Sequence, residues 1–146
     1  MNNIRIRNLL NLAFTSKEIQ IAFKRYVKDL NFDVPVESFG ILLAVHYYNN
    51  DMIQQDIAEI VKKDKSAVLR QIDILEKKNL VQRIVDKNDR RRNIIKITNE
   101  GAKLIDEINI KLDEFFSILS HELKPSDKEV FNRVLDHLRN KTREII

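Results

Sequence analysis

The sequence predicts a mainly α-helical protein that carries one small β-hairpin. Only two glycines and two prolines interrupt its 146 residues, so long helices with few tight turns are expected. Apolar residues recur at helical spacing over most of the chain, and strand-like alternation replaces that spacing only between residues 80 and 98. With 43% hydrophobic and 33% charged residues, the chain is expected to form one soluble domain over residues 1–146.

Two helices separated by a proline are predicted in the N-terminal part. Apolar residues at helical spacing extend from about Ile6 to Leu30, as one long helix or two short ones. Pro35 disfavours helix at the residue before it and suits a helix start, so the next helix is expected over about Val36–Tyr48. His46 lies on the apolar stripe of that helix, which favours a buried residue over a metal ligand.

Two further helices, joined by a short turn, are predicted between residues 52 and 78. Asp51 and Gln54 have the spacing of a capping box for the first helix. Asp64 is the predicted N-cap of the second helix, which is expected over Lys65–Lys78. One side of this second helix is expected to be buried, with Val68, Ile72 and Leu75, and the other side carries Arg70, Asp73, Glu76 and Lys77.

A β-hairpin follows. Asn79 tolerates the left-handed conformation that ends many helices, and the β-branched runs 80–85 and 94–98 predict two strands. The polar segment 86–93 between them is able to turn and contains three consecutive arginines. Two helices, a short turn and then a hairpin define a winged helix-turn-helix, here spanning about 52–98.

The C-terminal part is predicted to be two helices. Thr98 is an expected N-cap of a helix that ends near Ser120, and Ser126–Glu129 has the pattern of a capping box for the last helix. The end helices, about 4–31 and 100–146, carry more apolar residues than a small winged domain covers, and Ile145 and Ile146 would be exposed in a monomer. This favours a homodimer, with a monomer built on a three-layer core as the alternative.

Positive charge is concentrated in one stretch of the chain. The formal net charge is +4, but the segment from Lys62 to Arg92 alone holds eleven basic and five acidic residues, while the rest of the chain is slightly acidic. A cationic face on an otherwise neutral body is typical of a protein that binds a polyanion, although a solvated basic surface would give the same count.

The helix that opens at Asp64 and the arginines of the hairpin are the candidate DNA contacts. A helix fits the major groove, and its first turn points toward base edges. The residues assigned to this interface are Lys63, Lys65, Ser66, Ala67, Leu69, Arg70, Asp89, Arg90, Arg91 and Arg92. Arg70 is expected to donate two hydrogen bonds to a guanine, and Ser66 to bond a base or a phosphate. Ala67 and Leu69 are expected to contact thymine methyl groups, and Lys63 and Lys65 phosphates. Three arginines at one tip repel each other unless a polyanion is near, and an arginine there suits the narrow minor groove of A·T-rich DNA.

Residues 56–81 resemble, without gaps, the helix-turn-helix of the multiple antibiotic resistance regulator (MarR) family, and residues 86–101 resemble the wing that follows it. Asp89 and Arg91 match the Asp-x-Arg wing signature of that family, in which the aspartate braces the arginine that enters the minor groove. Ile97–Gly101 is similar to the family's ending of the second strand. The resemblance covers nearly the whole chain, including the flanking helices.

Three positions depart from the family pattern. Glycine is usual where this chain has Lys62 and Asn79; asparagine is an easy substitute, while Lys62 suggests a turn without a left-handed residue. Ala67 replaces a common threonine, which removes one hydroxyl from the expected base-reading surface. The operator preference is therefore expected to be the protein's own.

The resemblance implies a homodimeric regulator of transcription, a repressor that binds a pseudo-palindromic operator. It also implies that a small aromatic effector binds between the dimer helices and the winged domain. Aromatic side chains that would line such a crevice are Phe14, Phe39, Tyr47 and Tyr48, although aromatics at helical spacing are usually core residues.

Other classes of function find little support. The chain has no cysteine and only three scattered histidines, so no metal site and no cofactor is expected. No catalytic motif, membrane-spanning run or signal peptide is recognised, which predicts a cytoplasmic protein that is not an enzyme. Two alternatives are a winged-helix module for protein–protein contact without sequence-specific DNA binding, and an accessory domain of an enzyme. The first predicts a wing tip poor in arginine; the second needs room for a catalytic domain.

Overall fold

A computed structural model describes residues 2–28, 30, 32–48 and 51–145. Its elements are α1 (Asn2–Lys28), a 3₁₀ turn (Val36–Ser38), α2 (Phe39–Tyr48), α3 (Gln54–Val61), α4 (Lys65–Lys77), β1 (Val81–Val85), β2 (Asn93–Ile97), α5 (Asn99–Leu119) and α6 (Pro125–Ile145). The predicted mainly helical fold with a single β-hairpin wing is confirmed, and the first segment is one continuous helix. The chain divides into two compact units, one that ends at Lys111 and one that starts at Leu112.

The core of the first unit determines which face of α4 is exposed. Val68, Ile72 and Leu75 recur at i, i+4 and i+7, which places them on one side of the helix, and all three are fully buried. The other apolar side chains of this unit that are no more than 1% exposed are Ile41, Leu42, Ile57, Val81, Ile95, Ile105 and Ile108. Burying each side chain of this size contributes about 1.5–3 kcal/mol, so the core holds α4 with its opposite face outward.

The turn between α3 and α4 differs from the expectation at one residue. Asp64 caps α4 as predicted, because its Oδ1 accepts a hydrogen bond from the Ala67 N–H at 2.8 Å. Lys62, however, is left-handed, with φ 53° and ψ 46°, so the prediction of a turn without a left-handed residue is wrong. The chain must leave one helix and enter the next within three residues, and that reversal places the Lys63 N–H on the Ala58 carbonyl at 3.1 Å.

The two capping boxes predicted at helix starts are wrong. Gln54 is the first residue of α3 and not its third, so the pair Asp51–Gln54 forms no capping box; the Ile53 N–H instead donates to Asp56 Oδ2 at 2.9 Å. Helix α6 starts at Pro125, which suits a first helical position because it has no N–H to satisfy, so Ser126 lies inside the helix.

The wing is an antiparallel pair of strands with a seven-residue tip. Val81 pairs with Ile97 at the base and Val85 with Asn93 at the outer end, which leaves residues 86–92 as the tip. The middle of β2 is joined to the segment before α3, since the Ile95 N–H donates to the Met52 carbonyl at 2.8 Å and Ile53 forms a β-bridge with Ile94. The wing is therefore anchored along β2, and its tip extends beyond these contacts.

The entry into α5 is as predicted. The Thr98 hydroxyl accepts a hydrogen bond from the Gly101 N–H at 3.0 Å and so caps the helix. Asn79 has the expected left-handed backbone, with φ 55°.

Over the described parts of the chain, no helix is long and apolar enough to cross a membrane.

Candidate nucleic-acid interface

The first two turns of α4 present polar and apolar side chains to solvent. Ser66 and Arg70 are exposed, Leu69 is 41% exposed and Ala67 is half-buried, while Val68 between them is in the core. This alternation follows from the helical period, which turns residues 66, 69 and 70 away from Val68, Ile72 and Leu75. The four residues predicted to face DNA on this helix thus share one outward face.

Polar contacts hold the outward face of α4 in place. The Ser38 hydroxyl, which is fully buried, donates to Gln71 Oε1, and Gln54 Nε2 donates to the Lys65 carbonyl at 2.9 Å. A buried hydroxyl that found no partner would cost about 1–3 kcal/mol, so the Ser38–Gln71 bond fixes the helix rotation.

The two lysines predicted to contact phosphates lie at the start of α4. Lys63 Nζ donates to the backbone carbonyl of Glu37 at 3.3 Å, and Lys65 Nζ donates to Gln55 Oε1 at 3.0 Å. Both side chains are exposed, and in each case the hydrogen-bond acceptor is a neutral oxygen. The charge of Lys63 also acts on the nearby Glu37 carboxylate and helps to lower its pKa. Such ammonium groups suit phosphate oxygens.

Asp89 and Arg91 form the pair that the wing signature predicts. Arg91 Nε donates to Asp89 Oδ1 at 3.1 Å, and the Arg91 N–H donates to the same oxygen at 3.0 Å. These hydrogen bonds, the side-chain one first, hold the pKa of the Asp89 carboxyl below its ordinary value. Arg91 is otherwise 91% exposed, so the aspartate limits its directions without covering it.

The rest of the wing tip is closed by its own backbone. The Arg92 N–H donates to the Asp89 carbonyl at 2.9 Å, and the Asp86 N–H donates to the Arg92 carbonyl at 3.0 Å. The side chains of Arg90 and Arg92 are exposed. The tip therefore presents three cationic side chains from a closed loop.

The wing and the start of α4 share one cleft. It has a volume of about 320 Å³ and is lined by Ile53, Gln54, Gln55, Lys65, Arg83, Arg91, Arg92, Asn93 and Ile95. Lys65 from the helix and two arginines from the wing thus border a single concave surface, although they are more than 25 residues apart in sequence. Arg90 and Ser66 are not among its lining residues.

Arg83 was not singled out from the sequence, although it lines this cleft. Its guanidinium donates to Asp73 Oδ1 at 2.5 Å and to a carboxylate oxygen of Glu76. Asp73 and Glu76 lie on the side of α4 opposite its buried residues, as predicted, but their pairing with Arg83 was not predicted. The only hint in the sequence is that Arg83 has the same strand parity as the buried Val81.

The four aromatic residues predicted to bind an effector are grouped neither around this cleft nor around a second one. Phe39 is in the core, 3% exposed, with its ring edge-to-face to Phe32 at 5.0 Å. Phe14, Tyr47 and Tyr48 are exposed, and Tyr47 Oη donates to Asn109 Oδ1 at 3.0 Å. A second cleft of about 690 Å³ is lined instead by the segment before α2, the end of α4 and the start of α5.

His46 is exposed, so the expectation that it is buried is wrong. It lies in the last turn of α2, where the helix leaves the core, and its ring packs edge-to-face on Tyr47 at 4.9 Å. Within the described residues, no three His, Asp or Glu side chains are grouped so as to hold a metal ion.

Comparison with known sequences gives one family. Residues 36–92 match the model of the MarR family. YdgJ of Bacillus subtilis, described as an uncharacterized HTH-type transcriptional regulator, is 25% identical over 104 residues, which are 71% of this chain and 63% of that protein. The chain spans between 51% and 63% of the length of the curated relatives that it matches.

Comparison with solved structures gives the same fold. A MarR transcriptional regulator from Methanosarcina mazei superimposes with a TM-score of 0.79 at 20% identity, over 92% of this chain and 95% of that one. A mutant of MepR from S. aureus, bound to an oligodeoxyribonucleotide, superimposes with a TM-score of 0.60 at 24% identity, over 92% and 97%. At these identities the likeness establishes the winged-helix architecture.

Proposed function

We propose that the chain is a MarR-family regulator that binds double-stranded DNA sequence-specifically and represses transcription, since its residues 36–92 match the model of that family. One observation carries the proposal: Lys65 at the start of α4 and Arg91 and Arg92 of the wing border the same cleft. A duplex seated on α4 would pass its backbone along these cations, since the major groove and the adjacent minor groove are separated by one phosphate strand.

Each contact is assigned to a groove. Ser66 and Arg70 read base edges in the major groove, where an arginine can donate two hydrogen bonds to a guanine. Ala67 and Leu69 contact thymine methyl groups there. Arg91 enters the minor groove with Asp89 as its brace, beside Arg90 and Arg92, while Lys63 and Lys65 bind phosphates.

The proposal includes a homodimer in which the whole of 1–146 acts as one MarR-like domain. Helices α1 and α6 each carry large apolar side chains that are more than 40% exposed, among them Leu9 and Phe14 on the first and Phe131 and Val134 on the second. Covering them requires a partner, and a two-fold dimer places two recognition helices about 34 Å apart on a pseudo-palindromic operator. Light scattering on the purified protein should give twice the chain mass of 17.3 kDa.

A small aromatic effector is proposed to release the operator by changing the separation of the recognition helices. Phe14, Phe39, Tyr47 and Tyr48 remain its predicted contacts. Because Phe39 is a core residue, the informative substitutions are Tyr47→Ala and Tyr48→Ala, which should reduce the response to effector while leaving operator affinity in its absence unchanged.

Selection of genomic fragments on the purified protein tests the DNA-binding proposal directly. The expected product is a short, A·T-rich, inverted-repeat sequence, upstream of the genes that the protein represses in the cytoplasm. Titrations of the selected fragment at several salt concentrations should give a log–log slope of about −0.9 for each phosphate contacted. Enrichment of no sequence, or a slope near zero, would refute the proposal and favour a protein–protein module.

A further inference from the structure

Arg83 occupies the inner face of strand β1, beyond the edge of the apolar core. Val81, two residues earlier on the same face, is 1% exposed, whereas Val85, two residues later, is 54% exposed. Arg83 lies between them with its side chain 23% exposed. It is thus the last inward position of β1 that is substantially covered before the wing leaves the body of the protein.

Both acidic partners of Arg83 lie in the C-terminal half of α4. One guanidinium nitrogen pairs with Asp73 and the other with Glu76, and these two acids lie three residues apart on one helix face. Glu76 Oε1 also accepts a hydrogen bond from the Arg83 backbone N–H at 3.2 Å. Both the side chain and the backbone of Arg83 are therefore tied to the helix that carries the base-reading residues.

The two halves of the wing are anchored in different ways. Strand β2 is joined to the segment before α3 through Met52, as described above, and β1 is joined to α4 through Arg83. The recorded hydrogen bonds of the tip, residues 86–92, are made within the tip itself. The direction of the tip relative to α4 then depends on both anchors, because a two-stranded ribbon by itself twists and bends easily, and the anchor on β1 is the one that links the wing directly to α4.

We propose that Arg83 is a positioning residue that clamps the wing to α4, so that Arg91 reaches the minor groove when α4 occupies the major groove. The inference rests on the proposed DNA-binding function. The planar guanidinium suits the task, since its fork bonds two carboxylates in fixed directions and a lysine ammonium does not. Both acids are more than a third exposed, so the clamp acts mainly on geometry and adds little to global stability.

Direct contact between Arg83 and a phosphate is the rival explanation, because Arg83 lines the cationic cleft. The two explanations predict opposite changes in DNA affinity for one variant. Asp73→Asn combined with Glu76→Gln removes two negative charges beside a polyanion and frees the arginine, which should strengthen binding if Arg83 contacts DNA. If Arg83 acts as a clamp, the same variant should weaken binding despite the favourable change of charge. Asp106→Asn combined with Glu107→Gln, at exposed positions of α5, is the matched neutralisation of two charges outside the clamp.

Hydrogen exchange on the DNA-free protein tests the clamp without any DNA. Arg83→Ala and the Asp73→Asn/Glu76→Gln variant should both accelerate exchange of the strand amides at the outer end of the wing, residues 84 and 93–94. Amides of α2 and α3 should exchange as in the wild type. Unchanged wing exchange in both variants would overturn the clamp, whether or not the protein binds DNA.

A double-mutant cycle on the selected operator tests how the clamp is used. Arg83→Ala should weaken binding about tenfold, and Arg91→Ala should then cost less than about twofold in that background, because a misplaced wing has already lost its contact. Arg70→Ala, on α4 itself, should cost the same in both backgrounds. Additive losses for Arg83 and Arg91, or tighter binding by the acid-neutralised variant, would overturn the inference. Failure of the wild type to select any DNA would instead refute the proposed function.

Discussion

The backbone of Gly101 lies directly against the carbonyl group of Leu80. A Cβ added to Gly101 would be 2.0 Å from the Leu80 oxygen, closer than any side-chain atom can approach. The same carbonyl accepts a hydrogen bond from the Thr98 N–H at 3.2 Å, and the Thr98 hydroxyl donates to the Asn79 carbonyl at 2.6 Å. The first turn of α5 is thus joined to the segment between α4 and the wing through backbone contacts.

Gly101→Ala should therefore destabilise the protein. The new methyl group cannot move away from a backbone oxygen, so the helix start must shift, at a cost of about 1–3 kcal/mol in the free energy of unfolding. Gly40→Ala is the matched control, because the nearest atom to its added Cβ, on Val61, is 4.0 Å away and the residue is exposed in α2. That variant should gain up to about 1 kcal/mol from the lower entropy of the unfolded chain. Equal unfolding midpoints in urea for the two variants would contradict the close approach.

Lys62→Gly should stabilise the protein. A left-handed backbone costs a residue with a Cβ about 1–2 kcal/mol, and glycine removes most of that cost at φ 53°. Lys63→Gly removes the same charge at a residue outside the left-handed region and also loses the bond to the Glu37 carbonyl, so it should destabilise. Thermal unfolding of the two variants, without DNA, gives the comparison; a lower midpoint for Lys62→Gly than for the wild type would refute the assignment.

Local chemistry made part of this fold predictable. Asp64 and Thr98 were found as N-caps because a short polar side chain acts on backbone groups two or three residues away. The wing pair Asp89–Arg91 was found for the same reason, since both partners lie within one turn. The left-handed backbone of Lys62 was not predicted, because a residue with a Cβ disfavours that conformation. The reversal of the chain between two packed helices overrides this preference.

Contacts between distant segments were not predictable. Arg83 meets Asp73 and Glu76 only because the wing folds back along α4, and nothing in residues 73–83 distinguishes these acids from solvated ones. His46 was misplaced because the apolar stripe of α2 continues through it, whereas the last fully buried residue of that stripe is Leu42, one turn earlier. Periodicity locates a face of a helix, but the length of that face that is covered depends on the neighbouring elements.

Glu37 should make stability depend on pH at the acidic end. A hydrogen bond from the Lys24 side chain, the larger cause, and one from its own backbone hold the pKa of the Glu37 carboxyl below its ordinary value. A carboxyl with a depressed folded-state pKa stabilises the protein above its unfolded-state pKa, and the contribution is lost as pH falls through the folded-state value. Glu37→Gln should therefore cost stability at neutral pH, and the cost should become smaller at acidic pH, as the carboxyl is protonated in the folded protein.

The Glu37 side chain is 43% exposed, so the cost at neutral pH should be below about 1 kcal/mol. Urea unfolding at both pH values measures it. Glu129→Gln, at an exposed position of α6, is the control for loss of a carboxylate outside this ion pair. A constant effect of Glu37→Gln from neutral to acidic pH would show that the ion pair with Lys24 does not form in solution.

Arg91→Ala should weaken operator binding by about 1–3 kcal/mol and leave thermal stability unchanged, because a wing-tip side chain that is 91% exposed contributes almost nothing to the core. Arg90→Ala removes an identical charge from the neighbouring position, which lacks the hydrogen bonds to Asp89. Its loss should be smaller and the same for A·T-rich and G·C-rich sites, as expected for a phosphate contact. Fluorescence titrations on operators that differ only beneath the wing separate the two residues.

Asp89→Asn tests whether Asp89 orients Arg91, and the direction of the change in operator affinity distinguishes the possible outcomes. Removing a negative charge beside DNA should by itself tighten binding, but the variant also weakens the hydrogen bonds that orient Arg91, so the net result should be weaker binding to the A·T-rich operator. Because the pKa of Asp89 is lowered, the carboxylate stays ionised over about pH 5–8, and the difference between Asp89→Asn and the wild type should be constant over that range. Tighter binding by Asp89→Asn would mean that Arg91 needs no brace and contacts DNA only through its charge.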